Sequence, residues 1–232
     1  MYAVLNKMRH IVYSVNANIS GNVIARPSSN QKEAGTVSFL FDLEGNRKYL
    51  TAAERSAFLS AADRRPAEVQ TFCKVLAYTG ARISEILALT PQQIDISARV
   101  IIIECLKKRR RGIFRALPIP IVLLTELERV HGISQSQRDP ARATKKIWRW
   151  CRTTAWHHVK ACMDEAKIFG RQATPKGLRH GFGVAVLQSG VPINLLKKWL
   201  GHSRLETTEI YADAVGAEEQ AIANRFWETF EG

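Results

Sequence analysis

Four residues have side chains and spacings suited to chemistry on a phosphodiester bond. Arg179 lies in the segment Lys-Gly-Leu-Arg-His, and His202 follows it by 23 positions, directly after a glycine. Tyr211 comes nine positions after His202. Far upstream, Arg82 lies in the segment Thr-Gly-Ala-Arg-Ile-Ser-Glu. Each residue taken alone is more often structural, but four together in this order indicate a shared active site.

These side chains match the requirements of phosphoryl transfer. The guanidinium groups of Arg82 and Arg179 can clamp the non-bridging oxygens of a phosphate with bidentate hydrogen bonds, and they cannot lose their charge. A tyrosine nucleophile such as Tyr211 leaves a phosphotyrosine bond similar in energy to the bond broken, so that rejoining needs no external energy source. His202 can donate a hydrogen bond to the phosphate or assist proton movement.

The four segments together resemble the tyrosine recombinases, or integrases. The signature of that family joins an arginine in a Thr-Gly-x-Arg-x-x-Glu-Leu segment to Leu-Arg-His, Leu-Gly-His and a following tyrosine. The resemblance covers residues 48–232. It implies a mainly α-helical fold with a small antiparallel β-sheet (α+β), and an enzyme that cleaves and rejoins DNA at specific sites through a 3′-phosphotyrosine intermediate, giving integration, excision or inversion.

The resemblance also implies the partners and a lysine in the site. The partners are double-stranded DNA, other copies in a homotetramer with a dimer at each site, and in some settings an accessory DNA-bending protein; no metal or other cofactor is expected. The family protonates the leaving 5′ oxygen with a lysine on a β-hairpin tip, where this chain has Lys107 and Lys108, and we predict Lys107. The residues predicted to bind the DNA backbone are Lys108, Arg109, Arg110, Arg111 and Arg204.

One position departs from the family pattern. Members usually carry a histidine three residues before the second arginine, where this chain has Lys176. Lys176 can still donate a charged hydrogen bond to the phosphate, but lysine is a poor general base unless its pKa is depressed. The proton acceptor for Tyr211 is therefore open, and His202 is the favoured candidate. His180, directly after Arg179, is expected to point elsewhere on its helix and to serve packing.

Composition agrees with a DNA-binding protein and argues against other classes. The chain has 34 Lys and Arg against 21 Asp and Glu, and this net charge of +13 favours a polyanionic partner. No apolar stretch is long enough for a membrane span, and the first residues do not read as a secretory signal. A bacterial cytoplasmic location, at the nucleoid when bound, is expected. The scattered cysteines predict buried free thiols, not a zinc site: Cys73, Cys105, Cys151 and Cys162.

The elements that must position these residues are mostly helical by pattern. Thr51 with Glu54 three residues later predicts a capped helix start, and a second helix is expected over 67–78. Two β-branched or alternating segments, 99–106 and 115–120, predict strands joined by a basic hairpin tip. Further helices are expected at 82–89, 121–130, 144–150, 153–168, 177–189, 192–199 and 205–212, and at the C-terminus.

Domain organisation follows from the same patterns. Residues 1–47 are expected to be an N-terminal extension or linker, partly disordered, because 16–36 is rich in Asn, Ser and Gly. Residues 48–232 are expected to form the catalytic domain, with 214–232 as an amphipathic helix that docks on a neighbouring protomer. Such a short N-terminal part predicts a compact recombinase, similar to the short invertase-type members.

Two other functions stay open at this level. A type IB topoisomerase-like nicking and closing enzyme uses the same tyrosine chemistry. A non-catalytic DNA-binding protein on an integrase scaffold is the other alternative, and Lys176 is the feature that supports it. The Leu-Gly-His segment followed by tyrosine and the docking helix favour the recombinase.

Overall fold

Helices dominate the residues that a computed structural model describes, which are 40–42, 44–106, 112–211 and 217–231. The strands are β1 (Ile94–Asp95), β2 (Val100–Glu104) and β3 (Phe114–Pro118). The helices are α1 (Ala52–Asp63), α2 (Ala67–Thr79), α3 (Ile83–Ile86), α4 (Ile121–His131), α5 (Ile133–Gln137), α6 (Pro140–Ala143), α7 (Arg152–Glu165), α8 (Pro175–Gln188), α9 (Ile193–Leu200), α10 (Glu206–Glu209) and α11 (Ala217–Glu231). The expected fold class, mainly α with a small antiparallel sheet, is confirmed.

The sheet is a three-stranded antiparallel meander in the order β1-β2-β3. Ile102 pairs with Ala116, and Glu104 pairs with Phe114 at the end of the hairpin next to the connecting loop. Burial alternates along β2, because Ile101 and Ile103 face the core while their neighbours are partly exposed. Strand β1 was not predicted, since two residues are too few to show an alternating pattern. The hairpin tip, residues 107–111, lies outside the described residues.

Local signals fixed most of the helix boundaries. The Thr51 side chain accepts a hydrogen bond from the backbone of Glu54, whose carboxylate accepts one from the backbone of Thr51, so the predicted capping box is present. Helix α2 ends at Gly80, which adopts the left-handed conformation with φ of 58°. The helices predicted at 121–130, 153–168, 177–189 and 192–199 are confirmed to within three residues at each end.

The helix predicted at 144–150 is wrong. This stretch follows α6 as irregular chain, and its apolar residues serve the core without helical periodicity. Trp148 is buried, its indole N–H donates to the carbonyl of Glu68, and its ring packs edge-on against Phe72. One anchored aromatic residue can hold an irregular segment in place, because it buries a large apolar area and finds a partner for its polar atom.

Two hydrophobic clusters meet at helix α8. The larger is built around α2 and includes Phe72 and Leu178, and the smaller includes Val184, Leu200 and Tyr211. Helix α8 therefore has one face in each cluster, and the residues between them lie where the clusters join. Three of the cysteines, Cys73, Cys105 and Cys162, are buried free thiols as predicted, whereas Cys151 is exposed. No described helix is long and apolar enough to cross a membrane.

Candidate active site

A cleft of about 910 Å³ brings together residues from distant parts of the sequence. Five of the six residues predicted to act in catalysis line it: Arg82, Lys176, Arg179, His202 and Tyr211. The sixth, Lys107, lies outside the described residues, as do Lys108, Arg109, Arg110 and Arg111. Arg204 is exposed and is not among the residues that line the cleft. The cleft is therefore rich in cations, as a site for a phosphate requires.

Arg82 is held by a carboxylate at the start of α3. The Glu85 carboxylate accepts one hydrogen bond from the Arg82 backbone and another from its guanidinium, both at 2.9 Å. The same carboxylate accepts a hydrogen bond of 2.6 Å from Arg115 on β3. Arg115 in turn donates to the carbonyl of Trp199 in α9. This buried chain of charges links the sheet, α3 and α9, and it fixes the direction of Arg82.

Glu85 is fully ionised at neutral pH despite its burial. Burial by itself raises the pKa of the Glu85 carboxyl, but the hydrogen bond and charge of Arg115, together with those of Arg82, outweigh it and hold the pKa below its ordinary value. Arg115 was missed, because nothing in the sequence marks one arginine of a strand as the partner of a residue 30 positions away.

Arg179 lies in the interior and makes three hydrogen bonds. It donates to the carbonyl of Gly80 at 2.7 Å, to that of Leu200 at 2.8 Å, and to Nε2 of His202 at 2.9 Å. Burial lowers the pKa of its guanidinium to about 10, and the neighbouring charge of Arg82 acts in the same direction, so that the group stays charged at neutral pH. A guanidinium has five N–H groups, so donors are left to face a phosphate in the cleft.

His202 has both ring nitrogens engaged. Arg179 can only donate, so Nε2 of His202 must accept, and the ring hydrogen is then on Nδ1, which lies 2.9 Å from the hydroxyl of Thr208. Burial lowers the pKa of His202 to about 3, with Arg179 and Arg82 adding to the effect, so the ring is neutral. The expectation that His202 accepts the proton of Tyr211 does not fit this geometry, because its Nε2 lone pair is already bound to Arg179.

Tyr211 is buried, and its hydroxyl faces His180. The Tyr211 hydroxyl lies 3.2 Å from Nδ1 of His180, and the tyrosine side chain is part of the smaller hydrophobic cluster. Burial raises the pKa of the hydroxyl, although Arg179 and Arg82 oppose that rise. The expectation that His180 points away and only packs is wrong. Successive residues of a helix differ by about 100° in direction, and this rotation places His180 on the face of α8 that borders the tyrosine.

The missing side chain at Gly183 leaves room for the Tyr211 ring to pack against α8. A Cβ at position 183 would lie 2.6 Å from the tyrosine ring, closer than such atoms approach in proteins. We expect Gly183→Ala to lower the free energy of unfolding by about 1–3 kcal/mol, because an added methyl forces the ring aside. The measurement is urea unfolding of both single variants and of Gly183→Ala/Tyr211→Ala. Without the tyrosine ring, the alanine at position 183 should instead stabilise the helix, so Gly183→Ala/Tyr211→Ala should be about 1 kcal/mol more stable than Tyr211→Ala. Equal effects in both backgrounds would contradict the contact.

The sequence also left some cleft residues unidentified. Arg152 and the exposed Trp156 of α7, and Arg171 in the loop before α8, line the same cleft. Cations and aromatic side chains of this kind are spread along the whole chain, so only the fold shows which ones share the cleft. Their position extends the positive surface from the arginines toward α7.

Known proteins are similar to this chain in sequence. The sequence model of the phage integrase family matches residues 48–217. Tyrosine recombinase XerD of Shewanella oneidensis is 30% identical over 155 residues, which are 64% of this chain and 50% of that protein. Tyrosine recombinase XerA of Thermococcus onnurineus is 30% identical over 171 residues, 71% of this chain and 57% of that protein. The chain thus spans about half the length of the curated relatives that it matches.

Solved structures share the fold. A crystal structure of XerA recombinase aligns with a TM-score of 0.65 at 22% identity, covering 77% of this chain and 64% of that chain. XerH site-specific recombinase bound to difH substrate, in a pre-cleavage complex, aligns with a TM-score of 0.61 at 18% identity, covering 81% and 59%. The catalytic domain of bacteriophage HP1 integrase aligns with a TM-score of 0.53 at 23% identity, covering 75% and 93%.

Proposed function

Because this chain belongs to the phage integrase family, whose sequence model matches residues 48–217, we propose that it is the catalytic domain of a site-specific DNA recombinase. In this proposal it cleaves and rejoins DNA strands through a 3′-phosphotyrosine at Tyr211. The observation that carries the proposal is the convergence of Arg82, Arg179, His202 and Tyr211 on one cleft. Similarity to a recombinase solved in complex with its DNA substrate supports it.

The cleft suits a scissile phosphate. Arg82 and Arg179 bind the non-bridging oxygens, and their fixed hydrogen bonds to Glu85 and to backbone carbonyls place both guanidiniums before DNA arrives. Lys176, in the first turn of α8, adds a third cation to the same wall. The Tyr211 oxygen attacks phosphorus, the bond from phosphorus to the 5′ oxygen breaks, and the strand is joined to the enzyme through its 3′ phosphate.

Covalent capture tests this function. The probe is a pool of nicked duplexes with a randomised stretch next to the nick. Cleavage releases a short fragment that diffuses away, and because that fragment is lost the strand cannot be rejoined and the covalent adduct accumulates. We expect a protein–DNA band that survives denaturation, and mass spectrometry that finds the nucleotide on Tyr211. Absence of any band with the natural chain, or an adduct on another residue, would overturn the proposal. Relaxation of supercoiled plasmids without a shared sequence would favour a topoisomerase.

Lys107 is proposed to protonate the leaving 5′ oxygen. Lys107→Ala should lower the capture rate about 10²–10⁴-fold on ordinary DNA, the usual contribution of a general acid. It should leave capture nearly unchanged on DNA with sulfur at the scissile 5′ position, because a thiolate leaves without a proton. Lys108→Ala is the matched control, and we expect it to weaken DNA binding equally on both substrates. If Lys108→Ala instead shows the sulfur rescue, the general acid is Lys108.

Helix α11 is proposed to dock on a neighbouring protomer in a tetramer on DNA, with a dimer at each site. Its side chains Phe226, Trp227 and Phe230 are exposed, which leaves a large apolar surface uncovered in the single chain. Phe226→Ser/Phe230→Ser should prevent the pairing of two DNA sites in gel electrophoresis while covalent capture at a single site persists. Phe169→Ser, at another exposed aromatic residue, is the control. Pairing that survives the double change would contradict the docking role.

A further inference from the structure

The hydroxyl of Tyr211 needs a proton acceptor before its oxygen can attack phosphorus. Among the described residues, the one hydrogen-bond partner found for that hydroxyl is Nδ1 of His180, at 3.2 Å. His180 is 5% exposed, and its ring is tilted against the tyrosine ring with centroids 5.7 Å apart. The contact therefore joins the reacting atom to a titratable group, away from solvent.

Neither His202 nor a charged lysine offers the hydroxyl a free acceptor. The Nε2 lone pair of His202 is bound to Arg179, and its Nδ1 carries the hydrogen that faces Thr208. The rings of His202 and Tyr211 are nearly parallel, with centroids 6.4 Å apart, and the tyrosine hydroxyl makes its hydrogen bond to His180 instead. A charged lysine has three donors and no lone pair. Lys176 therefore serves the phosphate better than the nucleophile.

His180 presents a free lone pair to the hydroxyl. Burial lowers its pKa to about 4, and the charges of Lys176, Arg179 and Lys48 lower it further, so the imidazole is neutral at physiological pH. Its Nε2 is buried without a hydrogen-bond partner among the described residues. The ring hydrogen can thus be on Nε2, which leaves Nδ1 as an acceptor for the tyrosine O–H.

We propose that His180 is a catalytic residue that accepts the proton of Tyr211 during strand cleavage and returns it during rejoining. The proposal rests on the function proposed above. In cleavage, the hydroxyl proton moves to Nδ1, the tyrosine oxygen bonds to phosphorus, and the bond to the 5′ oxygen breaks, that oxygen taking its proton from the general acid. In rejoining, the 5′ hydroxyl gives its proton back to the general acid and attacks phosphorus, the bond to tyrosine breaks, and Nδ1 returns its proton to the tyrosine oxygen.

DNA binding makes His180 a stronger base. In the free protein the cations around His180 disfavour its protonated form. A phosphodiester held by Arg82 and Arg179 brings a negative charge that offsets those cations, so the affinity of Nδ1 for a proton rises when substrate is bound. The acceptor is therefore weak without DNA and stronger with DNA.

His180→Asn separates proton acceptance from positioning. The asparagine carbonyl can accept a hydrogen bond from the tyrosine hydroxyl, but an amide does not take up the proton. We expect single-turnover capture of a nicked duplex selected from the pool to fall about 10²–10⁴-fold at neutral pH. We further expect that 3,5-difluorotyrosine at position 211, whose hydroxyl is more acidic, raises the capture rate of the His180→Asn variant at least about tenfold. The same fluorination should change capture by the natural His180 enzyme much less.

His131→Asn is the matched control. His131 also faces a hydroxyl, that of Thr71 at 2.8 Å, and burial also lowers its pKa to about 4, but it is not among the residues that line the cleft. Its change should leave capture within about twofold of the natural chain. Thermal unfolding and DNA binding identify the folded variants. His180→Gln replaces His180→Asn if the latter does not fold.

Nitrogen NMR of the unaltered chain gives an independent readout. Labelled His180 should show the tautomer with hydrogen on Nε2 and a lone pair on Nδ1, and the tautomer with hydrogen on Nδ1 would overturn the proposal. Capture at the natural rate by folded His180→Asn, or a loss that fluorination leaves unchanged, would also overturn it. None of these three results touches the recombinase function, which fails if the natural chain gives no covalent complex with any DNA in the pool or forms its adduct on a residue other than Tyr211.

Discussion

Tyr211→Phe is expected to abolish covalent capture of DNA, at least about 10⁴-fold below the natural chain, because the nucleophilic oxygen is removed. The fold should be little affected. Phenylalanine keeps the ring that packs against Gly183 and in the smaller hydrophobic cluster, and it removes one hydrogen bond, to His180. We expect the free energy of unfolding to change by about 1 kcal/mol or less, and DNA binding at equal salt to stay within about twofold.

The control for this change is Tyr78→Phe. Tyr78 is partly exposed at the end of α2 and is not among the residues that line the cleft. Capture by the Tyr78 variant should equal that of the natural chain, measured by denaturing electrophoresis with the same selected duplex. A persistent adduct in Tyr211→Phe would show that another side chain is the nucleophile, and the proposed function would then need a different site.

Glu85→Gln is expected to lower the free energy of unfolding by about 3 kcal/mol. The change leaves the buried Arg115 without its carboxylate, and breaking a buried ion pair from one side costs about 3–5 kcal/mol. Glutamine keeps the size of the side chain and one of the two acceptor oxygens, which places the loss near the lower end of that range. Covalent capture of DNA should fall as well, because the Arg82 guanidinium loses the charged hydrogen bond that orients it.

The contribution of Glu85 to stability should depend on pH. The pKa of Glu85 is depressed in the folded chain, so its contribution to stability is complete above the unfolded pKa of about 4.3 and is lost as the pH falls through the folded value. The gap between the natural chain and Glu85→Gln, measured by urea unfolding, should therefore narrow below about pH 4.

Asp139→Asn is the control for a change of one charge. Asp139 forms an exposed ion pair with Arg142 at the same i, i+3 spacing that Glu85 has with Arg82. We expect a loss of about 0.5 kcal/mol or less, as for other surface pairs. Equal losses in Asp139→Asn and Glu85→Gln would show that burial of the Glu85 pair contributes nothing.

The sequence was informative where chemistry depends on residue type and spacing. Arg82, Arg179, His202 and Tyr211 were predicted because their segments resemble the tyrosine recombinase signature in order and spacing, and because their side chains suit phosphoryl transfer. The start of α1 was predicted from Thr51 for a similar reason, since a capping box is complete within four residues.

Long-range contacts were not predictable in the same way. The partner of Glu85 on β3 and the acceptor that faces Tyr211 depend on how elements pack, and a local pattern does not encode a rotation of about 100° along a helix. Trp148 shows the same limit, because an apolar residue that anchors an irregular segment looks like one face of a helix. Sequence patterns thus predicted most of the candidate residues that line the cleft, whereas packing determines which of them contact one another.

The hydrogen bonds of Arg179 bear on how this chain can change over generations. They pair the carbonyls of Gly80 and Leu200, which a smaller side chain would leave unpaired in the interior. Under the proposed function, purifying selection for a folded product would retain Arg179 even in a descendant that had stopped cutting DNA. The fold uses the hydroxyl of Tyr211 for one hydrogen bond. In a lineage drifting toward inactivity, that hydroxyl is lost early and the arginine late, so the tyrosine is the better marker of an active copy.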